Sequence, residues 1–409
     1  MAQDGAAMTP RTHAPIDAAA LDAVLAPFGE SRMLPRAAYV DEAVLAWEQD
    51  AFFRDGWMCA GRAADVEHPG DQRARSVGGA GLLMVRDSGG ALHTFANACR
   101  HRGHELLPCD GASNRGVIQC PYHAWSYELD GRLRLAPRFD AGNFDPSTVA
   151  LISVRQAEWG GWVFVNVSGD APPFEQHVGS LADALVNWEC DRLVVAHTHR
   201  YELAANWKIP VENYNECYHC PLIHPELARV SPPESGDNHE GRGAWVGGSM
   251  DLADFAATMS LTGRSGGVAM RNLTPEQRRQ VLYFAVFPNL LVSLHPDYVL
   301  THRLEPVAAG RTTVECQWLF PPEAMATPGF DPSYAVDFWD LTNHQDWAAV
   351  ESVQRGLSHP AFVPGVLAEQ ESDVYRFVTM VARGYRGEPI SGGPSPRRSR
   401  SPAAGSAPG

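Results

Sequence analysis

The chain has 409 residues, a formal net charge of −15, 44% hydrophobic and 20% charged residues, the make-up of a globular protein with length for two domains. The acidic balance argues against nucleic acid and anionic membrane as partners, and no apolar run reaches the roughly 18 residues of a membrane helix. The opening Met1-Ala-Gln-Asp-Gly5 lacks the basic start and apolar block of a secretory signal. Cys59, Cys109, Cys190, Cys217, Cys220 and Cys316 show no disulfide-framework spacing, so a reducing cytoplasm is expected.

Residues 1–40 are rich in Ala, Pro and small polar residues and predict a loose arm with a short helix near Asp17–Leu25. Apolar spacing at Val44, Leu45, Trp47, Phe52 and Phe53 predicts a helix from Asp41 to Phe53. From Trp57 the pattern turns to short strands. Leu82–Val85 and Leu92–Phe95 flank Asp87-Ser-Gly-Gly90, a hairpin signal. With a last apolar strand at Trp162–Asn166, these segments predict a small all-β domain over 41–168, bounded by the Gly169–Pro173 loop.

Two loops of this domain carry chemistry. Cys99-Arg-His101 and Cys120-Pro-Tyr-His123 each offer one thiolate and one imidazole. A Rieske [2Fe–2S] centre needs that set, two Cys on one iron and two His on the other. A Cys2His2 zinc site would use the same atoms, but zinc fingers usually pair Cys with Cys and His with His along the chain.

The remainder, 169–387, predicts a mixed domain. A helix is expected over Phe174–Trp188 and a strand over Leu193–Leu203, followed by a helical stretch over Val211–His219. A long irregular region is expected from Pro225 to about Gly267, which in a compact domain suggests a lid or substrate wall. Val281–Phe287, Leu290–His295, Tyr298–Pro306 and Arg311–Phe320 read as an antiparallel meander, with helices over Tyr334–Leu357 and Leu367–Tyr385. Residues 388–409 are Pro-, Gly-, Ser- and Arg-rich and should be disordered. Their basic run at Arg397, Arg398 and Arg400 reads as a solvated tail.

A Rieske cluster moves electrons and makes no bonds, so a second site is expected downstream. Glu212-Asn-Tyr-Asn-Glu216-Cys-Tyr-His219-Cys-Pro-Leu-Ile-His224-Pro225 offers two imidazoles five residues apart. With one carboxylate they would form the facial triad of a non-haem Fe(II) site, which leaves positions open for O2 and substrate. Pro221 and Pro225 disfavour regular helix at Cys220 and His224, which places His219 on a last helical turn and His224 just past it. Glu216, one turn before His219 on the same helix face, could itself ligate iron or orient the imidazole. By spacing, Asp331, Asp337, Asp340, Asp346 and Glu351 are equal candidates for the third ligand. Trp245, Tyr283, Phe284, Phe287, Trp318, Phe338 and Trp339 could line a pocket, though alternation and helical spacing make most of them core.

The stretch Asn97–Trp125 resembles the Rieske domain of ring-hydroxylating and related Rieske oxygenases. It resembles the Rieske proteins of respiratory cytochrome complexes less, because those carry a further, disulfide-bonded Cys in each loop, where this chain has His104 and Tyr122. Asn206-Trp-Lys208, Glu212-Asn213, Glu216-Cys-Tyr-His219-Cys and His224-Pro225 are similar to the catalytic signature of the large subunits. Both metal motifs stand in the family's order, and the resemblance spans about residues 40–385. It implies an α+β fold, with a small all-β Rieske domain on a helix-grip domain with an antiparallel sheet. It implies Asp346, within Asn343-His-Gln-Asp346-Trp347, as the third iron ligand. It also implies that Glu216, where many members have Asp, bridges the mononuclear site to a Rieske ligand of a neighbouring subunit, hence a ring of subunits, most simply a homotrimer.

The activity implied is that of a terminal oxygenase. O2 is its co-substrate, and electrons come from NAD(P)H through a separate reductase, directly or through a ferredoxin. The chain has no nucleotide or flavin motif of its own. A small organic substrate would be hydroxylated, dihydroxylated or N-dealkylated. Glu216–Cys220 looks most like the branch that acts on quaternary ammonium compounds such as betaines, carnitine or choline; aromatic ring-hydroxylating dioxygenases are the alternative. An electron-transfer or regulatory protein with a vestigial iron site is the reading from another class.

Overall fold

A computed structural model of the chain describes residues 13–139 and 144–392. The architecture is the α+β one expected. In the small domain, a four-stranded antiparallel sheet runs in the order Leu92–Ala96, Ala80–Arg86, Asp71–Val77, Ala112–Asn114. Two three-stranded sheets complete it, one of Met58–Arg62, Trp162–Asn166 and Arg155–Trp159, the other of Ile118–Gln119, Ser126–Tyr127 and Leu133–Leu135. The hairpin at residue 87 forms for a local reason. Asp87 Oδ1 accepts from the amides of Gly89 and Ala91, both at 2.8 Å, and Gly90 takes a φ of +87° that few other residues tolerate. Leu83, Val85, Phe95, Trp125 and Tyr127 form this domain's core around Cys99 and Cys120.

The larger domain is built on seven antiparallel strands, in the order Val194–Leu203, Arg311–Phe320, Val299–Ala308, Leu290–Leu294, Gln280–Val286, Trp245–Asp251, Asp237–Asn238. Alternation along the strands decides what each face meets. Leu282, Phe284 and Val286 share a core with Trp57, Trp162 and Phe164 of the small domain. Val281 and Ala285 share one with Phe338 and Val350 of the helix Ser333–Leu357 and with Phe377 and Val381 of the helix Ser372–Tyr385. The sheet is therefore covered on both faces, by the small domain and by helices. Among the described residues no helix is long and apolar enough to cross a membrane.

Several expectations need correction. The segment Phe174–Trp188 is not one helix but Phe174–Val178 and Leu181–Leu185 with a short 3-10 turn after them. It breaks at Gly179, where φ is +50° and a Cβ would collide with the Arg242 carbonyl. The region 225–267 contains a full strand, Trp245–Asp251. Gly247 and Gly248 disguise it, and both are required, since Cβ atoms there would strike the carbonyls of Tyr283 and Asp237. The C-terminal helix starts at Ser372, not Leu367. The N-terminal arm is not loose from residue 13, since Ala14 N donates to Tyr385 O at 2.9 Å and Leu21, Val24 and Leu34 are buried. Nor is the start of the tail: Ile390 packs on the core and Gly392 N donates to Gly243 O at 3.0 Å. Residues 393–409, with the basic run, lie outside the described residues, as do 1–12.

The helix Glu42–Glu48, capped by Asp41 Oδ1 on Ala43 N at 2.9 Å, widens into a π-helical turn over Gln49–Arg54. It packs on the larger domain, with Phe53 against Trp207 and Phe52 against Phe287. Glu48 at its end is fully buried and accepts from Lys208 Nζ at 2.7 Å and Trp207 Nε1 at 2.8 Å, with the Tyr385 hydroxyl as a third donor. Burial lowers the Lys208 pKa, and Glu48 opposes this. Glu48 thus ties three distant segments together, its own helix, the start of the helix Lys208–Tyr214 and the end of the helix Ser372–Tyr385. Removing one partner strands a buried charge, so Lys208→Met should lose about 3 kcal/mol in denaturant unfolding. Glu48→Gln combined with Lys208→Met should lose less than Lys208→Met alone. An equal or larger loss in the double variant would show that the charge is not the cause.

Candidate metal centres

Each loop of the small domain closes on its own cysteine. In the first, Cys99 N donates to His104 O and Gly103 N to Cys99 O, both at 2.9 Å, with Gly103 at φ +74°. In the second, Cys120 N donates to Trp125 O at 2.8 Å and Ala124 N to Cys120 O at 3.1 Å, with Ala124 at φ +59°. The two sulfurs are buried, while His123 lies at the surface. The rings of His101 and His123 are 4.8 Å apart, and His101 stacks on Trp125 at 4.9 Å. The Tyr127 hydroxyl lies 3.1 Å from Cys99 Sγ and accepts from Arg100 N at 3.0 Å. Burial and the neighbouring Cys120 sulfur raise the Cys99 thiol, against Tyr127 and the His101 backbone. Bound iron would favour the thiolate form that a metal ligand needs. The donor set fits a [2Fe–2S] centre with its imidazole side facing outward.

The second site departs from the expected local structure. The helix Lys208–Tyr214 stops at Asn215, and Glu216 lies in irregular chain rather than on a helix face. His219 precedes a new short helix, Cys220–Ile223, and His224 separates that helix from Pro225–Val230. Pro221 and Pro225 thus open helices rather than end one, because a first-turn proline gives up no hydrogen bond. Cys217 and Cys220, expected as separate thiols, form a disulfide. The turn between the helices brings their Cα atoms to 4.9 Å, within disulfide reach, and places His219 between them.

One donor atom from each of His219, His224 and Asp346 falls within 4.8 Å of the others. Asp346 Oδ1 is 2.9 Å from His224 Nε2 and 3.5 Å from His219 Nε2. The opposite nitrogens are held as well: Gln345 Oε1 lies 2.7 Å from His224 Nδ1, and Glu216 Oε1 lies 2.5 Å from His219 Nδ1. Such partners fix ring orientation and leave Nε2 for a metal. Glu216 also accepts from the amides of Tyr218 and His219. Three of the four rival carboxylates are engaged elsewhere. Asp340 accepts from the Tyr201 hydroxyl at 2.6 Å, Glu351 from Ala204 N at 3.0 Å and Asp331 from Ser333 N at 2.9 Å. Burial pushes the His219 imidazole down, but Asp346 and Glu216 outweigh it and raise its pKa to about 10. Burial pushes Asp346 up, and the two imidazoles more than reverse this. Two neutral imidazoles and one carboxylate form the donor set that Fe(II) takes with positions left open.

The triad lines a cavity of about 590 Å³. Five aromatic rings run along its wall in sequence. Trp347 contacts His302 at 6.3 Å, His302 contacts Tyr214 at 6.2 Å, Tyr214 contacts Tyr283 at 5.9 Å and Tyr283 contacts Trp339 at 6.5 Å. Of the aromatics named from the sequence, only Tyr283 and Trp339 line the cavity; Trp245, Phe284, Phe287, Trp318 and Phe338 are core. Tyr214, His302, Trp347 and Gln345 were missed. Gln345 and Trp347 flank Asp346, and Tyr214 is two residues before Glu216, so proximity to the motifs was the available signal. His302 gave none, since on a buried strand it reads as core.

The Rieske [2Fe-2S] domain model matches residues 56–154, and the model for the ring hydroxylating alpha subunit (catalytic domain) matches residues 190–387. The chain is 29% identical over 362 residues to the glycine betaine monooxygenase oxygenase subunit of Chromohalobacter salexigens, across 81% of each chain. It is 36% identical over 198 residues to the carnitine monooxygenase oxygenase subunit of Acinetobacter pittii, across 47% of this chain and 53% of that one. Among solved structures it is similar to the quaternary ammonium Rieske monooxygenase CntA in complex with L-carnitine, with a TM-score of 0.73 and 25% identity over 87% of this chain and 96% of that one. It shares its fold with naphthalene 1,2-dioxygenase from Rhodococcus sp., with a TM-score of 0.74 and 19% identity over 90% and 97% of the two chains. With a Rieske domain joined in this order to a ring-hydroxylating catalytic domain, the chain belongs to the Rieske non-haem iron oxygenases, as an alpha-type terminal oxygenase subunit with a [2Fe–2S] cluster, a mononuclear iron and a separate NAD(P)H-dependent reductase.

Proposed function

We propose that Cys99, His101, Cys120 and His123 hold the cluster, that His219, His224 and Asp346 hold the mononuclear iron, and that the enzyme hydroxylates a small quaternary ammonium compound, at a carbon next to nitrogen or at a carbinol carbon. The observation that carries the substrate reading is the run of aromatic rings beside the triad. Aromatic faces attract alkylammonium groups, by about 0.5–2 kcal/mol per ring. Bound iron supplies activation of O2 at its open positions. The chain's own residues do the rest. Gln345 and Glu216 hold the two imidazoles, and the aromatic wall holds the substrate cation beside them. In balance, a C–H group, O2, two electrons and two protons give a C–OH group and water. On an N-methyl group the product splits into tertiary amine, formaldehyde and a proton; on a carbinol carbon it is an aldehyde hydrate.

Glu216 is proposed to link the iron site to a Rieske histidine of a neighbouring subunit in a homotrimer. Its contact with His219 supports this, as do the neighbouring Tyr218 and Leu222, which are 59% and 91% exposed. So does the surface position of His123 on the small domain. Inter-subunit electron transfer is named for a quaternary ammonium Rieske monooxygenase of similar fold. The proposal keeps the domain limits of 41–168 and 169–387, a reductase that acts directly or through a ferredoxin, and a cytoplasmic setting.

Anaerobically purified protein should hold about three irons and two acid-labile sulfides per chain. Cys120→Ser should lose the sulfide and the red-brown colour and keep mononuclear iron. Asp346→Ala should keep the cluster, lose the third iron and drop turnover at least about 100-fold. Full iron and activity in Asp346→Ala would reassign the third ligand. Glu216→Gln should retain both metals yet slow reoxidation of the reduced cluster in stopped-flow traces; an unchanged rate would remove it from the electron path.

Acidity gives a further expectation. His219 stays protonated below about pH 10 in the metal-free site, so Fe(II) must expel that proton on binding. Affinity of the metal-free site for Fe(II) should therefore rise with pH, by about tenfold per unit for one proton, when titrated between pH 6 and 8. A flat profile would mean that His219 is already neutral.

With reductase and NADH, betaines, carnitine or choline should drive O2 uptake coupled to product. Tight coupling to a neutral aromatic, with no response to any quaternary amine, would assign ring hydroxylation instead.

A further inference from the structure

We propose that the substrate's second end is uncharged: the cavity selects a quaternary ammonium alcohol over the matching carboxylate. This rests on the quaternary-ammonium reading above and goes beyond it, because betaines and carnitine are zwitterions.

The charges around the cavity carry the argument. Among the described residues that line it there is no Lys and no Arg, while six are carboxylates. Three of these are matched. Glu216 and Asp346 face the ligand imidazoles, and together they balance the charge of a bound Fe(II). Asp373 pairs with Arg376 Nη1 at 2.7 Å. The other three, Glu234, Asp237 and Glu369, are exposed, and none forms an ion pair with Lys or Arg among the described residues. The imidazole of the aromatic run adds no positive charge either. Burial pushes His302 down to about 4, against Asn343 and Asp346, so it is neutral at physiological pH.

A zwitterion in this chamber would place its carboxylate among like charges with no cationic partner. Buried or half-buried carboxylates need such a partner, and like charges nearby discriminate strongly against them. A hydroxyl meets the opposite situation. Ser249, Thr342 and Asn343 line the cavity with neutral hydrogen-bonding groups. A substrate hydroxyl can bond to such groups without a cationic partner. The ammonium end meets the aromatic rings, and the acidic residues at the surface draw cations in. The three features agree on a net cation with a neutral polar end.

The experiment compares matched pairs on the iron-loaded enzyme with reductase and NADH. Choline is set against glycine betaine, and (3-hydroxypropyl)trimethylammonium against (2-carboxyethyl)trimethylammonium. Product-coupled O2 uptake gives kcat/KM, and calorimetry gives Kd for the same compounds. The alcohol of each pair should show a kcat/KM at least tenfold higher and a tighter Kd. Glu234→Gln, Asp237→Asn and Glu369→Gln together should narrow the gap, mainly through a higher KM for the alcohol, with iron content unchanged. Carboxylates that match or exceed the alcohols would overturn the inference and leave the quaternary-ammonium reading standing. Failure of every quaternary amine to bind or turn over would overturn both.

Discussion

Asp346 lies between two imidazoles that are 122 and 127 residues earlier in the chain, and the larger domain is arranged to hold it there. Two histidines can converge through one tight turn, but the carboxylate has to arrive on another element at ångström accuracy. It arrives on the rigid helix Ser333–Leu357, whose buried residues Phe338, Trp339 and Val350 lock it onto the sheet and the core around it. The same helix supplies Gln345 to His224 and Asn343 to His302. One element therefore sets one proposed ligand, orients a second, carries two rings of the cavity wall and holds a third. Docking of that helix is the step on which iron geometry depends.

Charge is distributed accordingly. Buried carboxylates sit where a cation or a donor meets them: Glu48 against Lys208, Glu315 against Arg200 and Arg303, and Asp297 under the hydroxyls of Thr258, Ser265 and Tyr334. Arg200 also reaches Asp110 at 2.9 Å, next to Cys109 on the small domain, so the two domains are joined by ion pairs as well as by apolar packing. Against that background the three surface carboxylates of the cavity stand apart as the ones left for a ligand.

Much of this was legible in the sequence because the chemistry is local. Each cluster loop needs one Cys and one His within a few residues, and the iron site needs two His within one turn. The meander from 280 to 320 was readable because period-two alternation and short turns are local signals too. What failed was decided by tertiary contact. Gly179 breaks a helix because Arg242 passes close by, and the strand at Trp245 carries two glycines because other strands press on it. Asp346 could not be told from Asp340 by spacing, because the choice lies in which partner each meets, the His pair or Tyr201. Family resemblance made that choice, and the partner geometry agrees with it. The cavity charges were invisible for the same reason, since Glu234 and Glu369 are brought to one cavity only by the fold.

Gly247 and Gly248 both line the cavity, and each abuts the backbone of a neighbouring strand. This part of the chamber is bare main chain. Its depth there is an invariant of strand spacing rather than a matter of side-chain size. Divergence toward bulkier or slimmer substrates must therefore run through the side chains that line the rest of the cavity, where Leu291, Thr342 and Met250 offer replaceable atoms. The glycine pair is a fixed floor, and only the side chains around it can be exchanged.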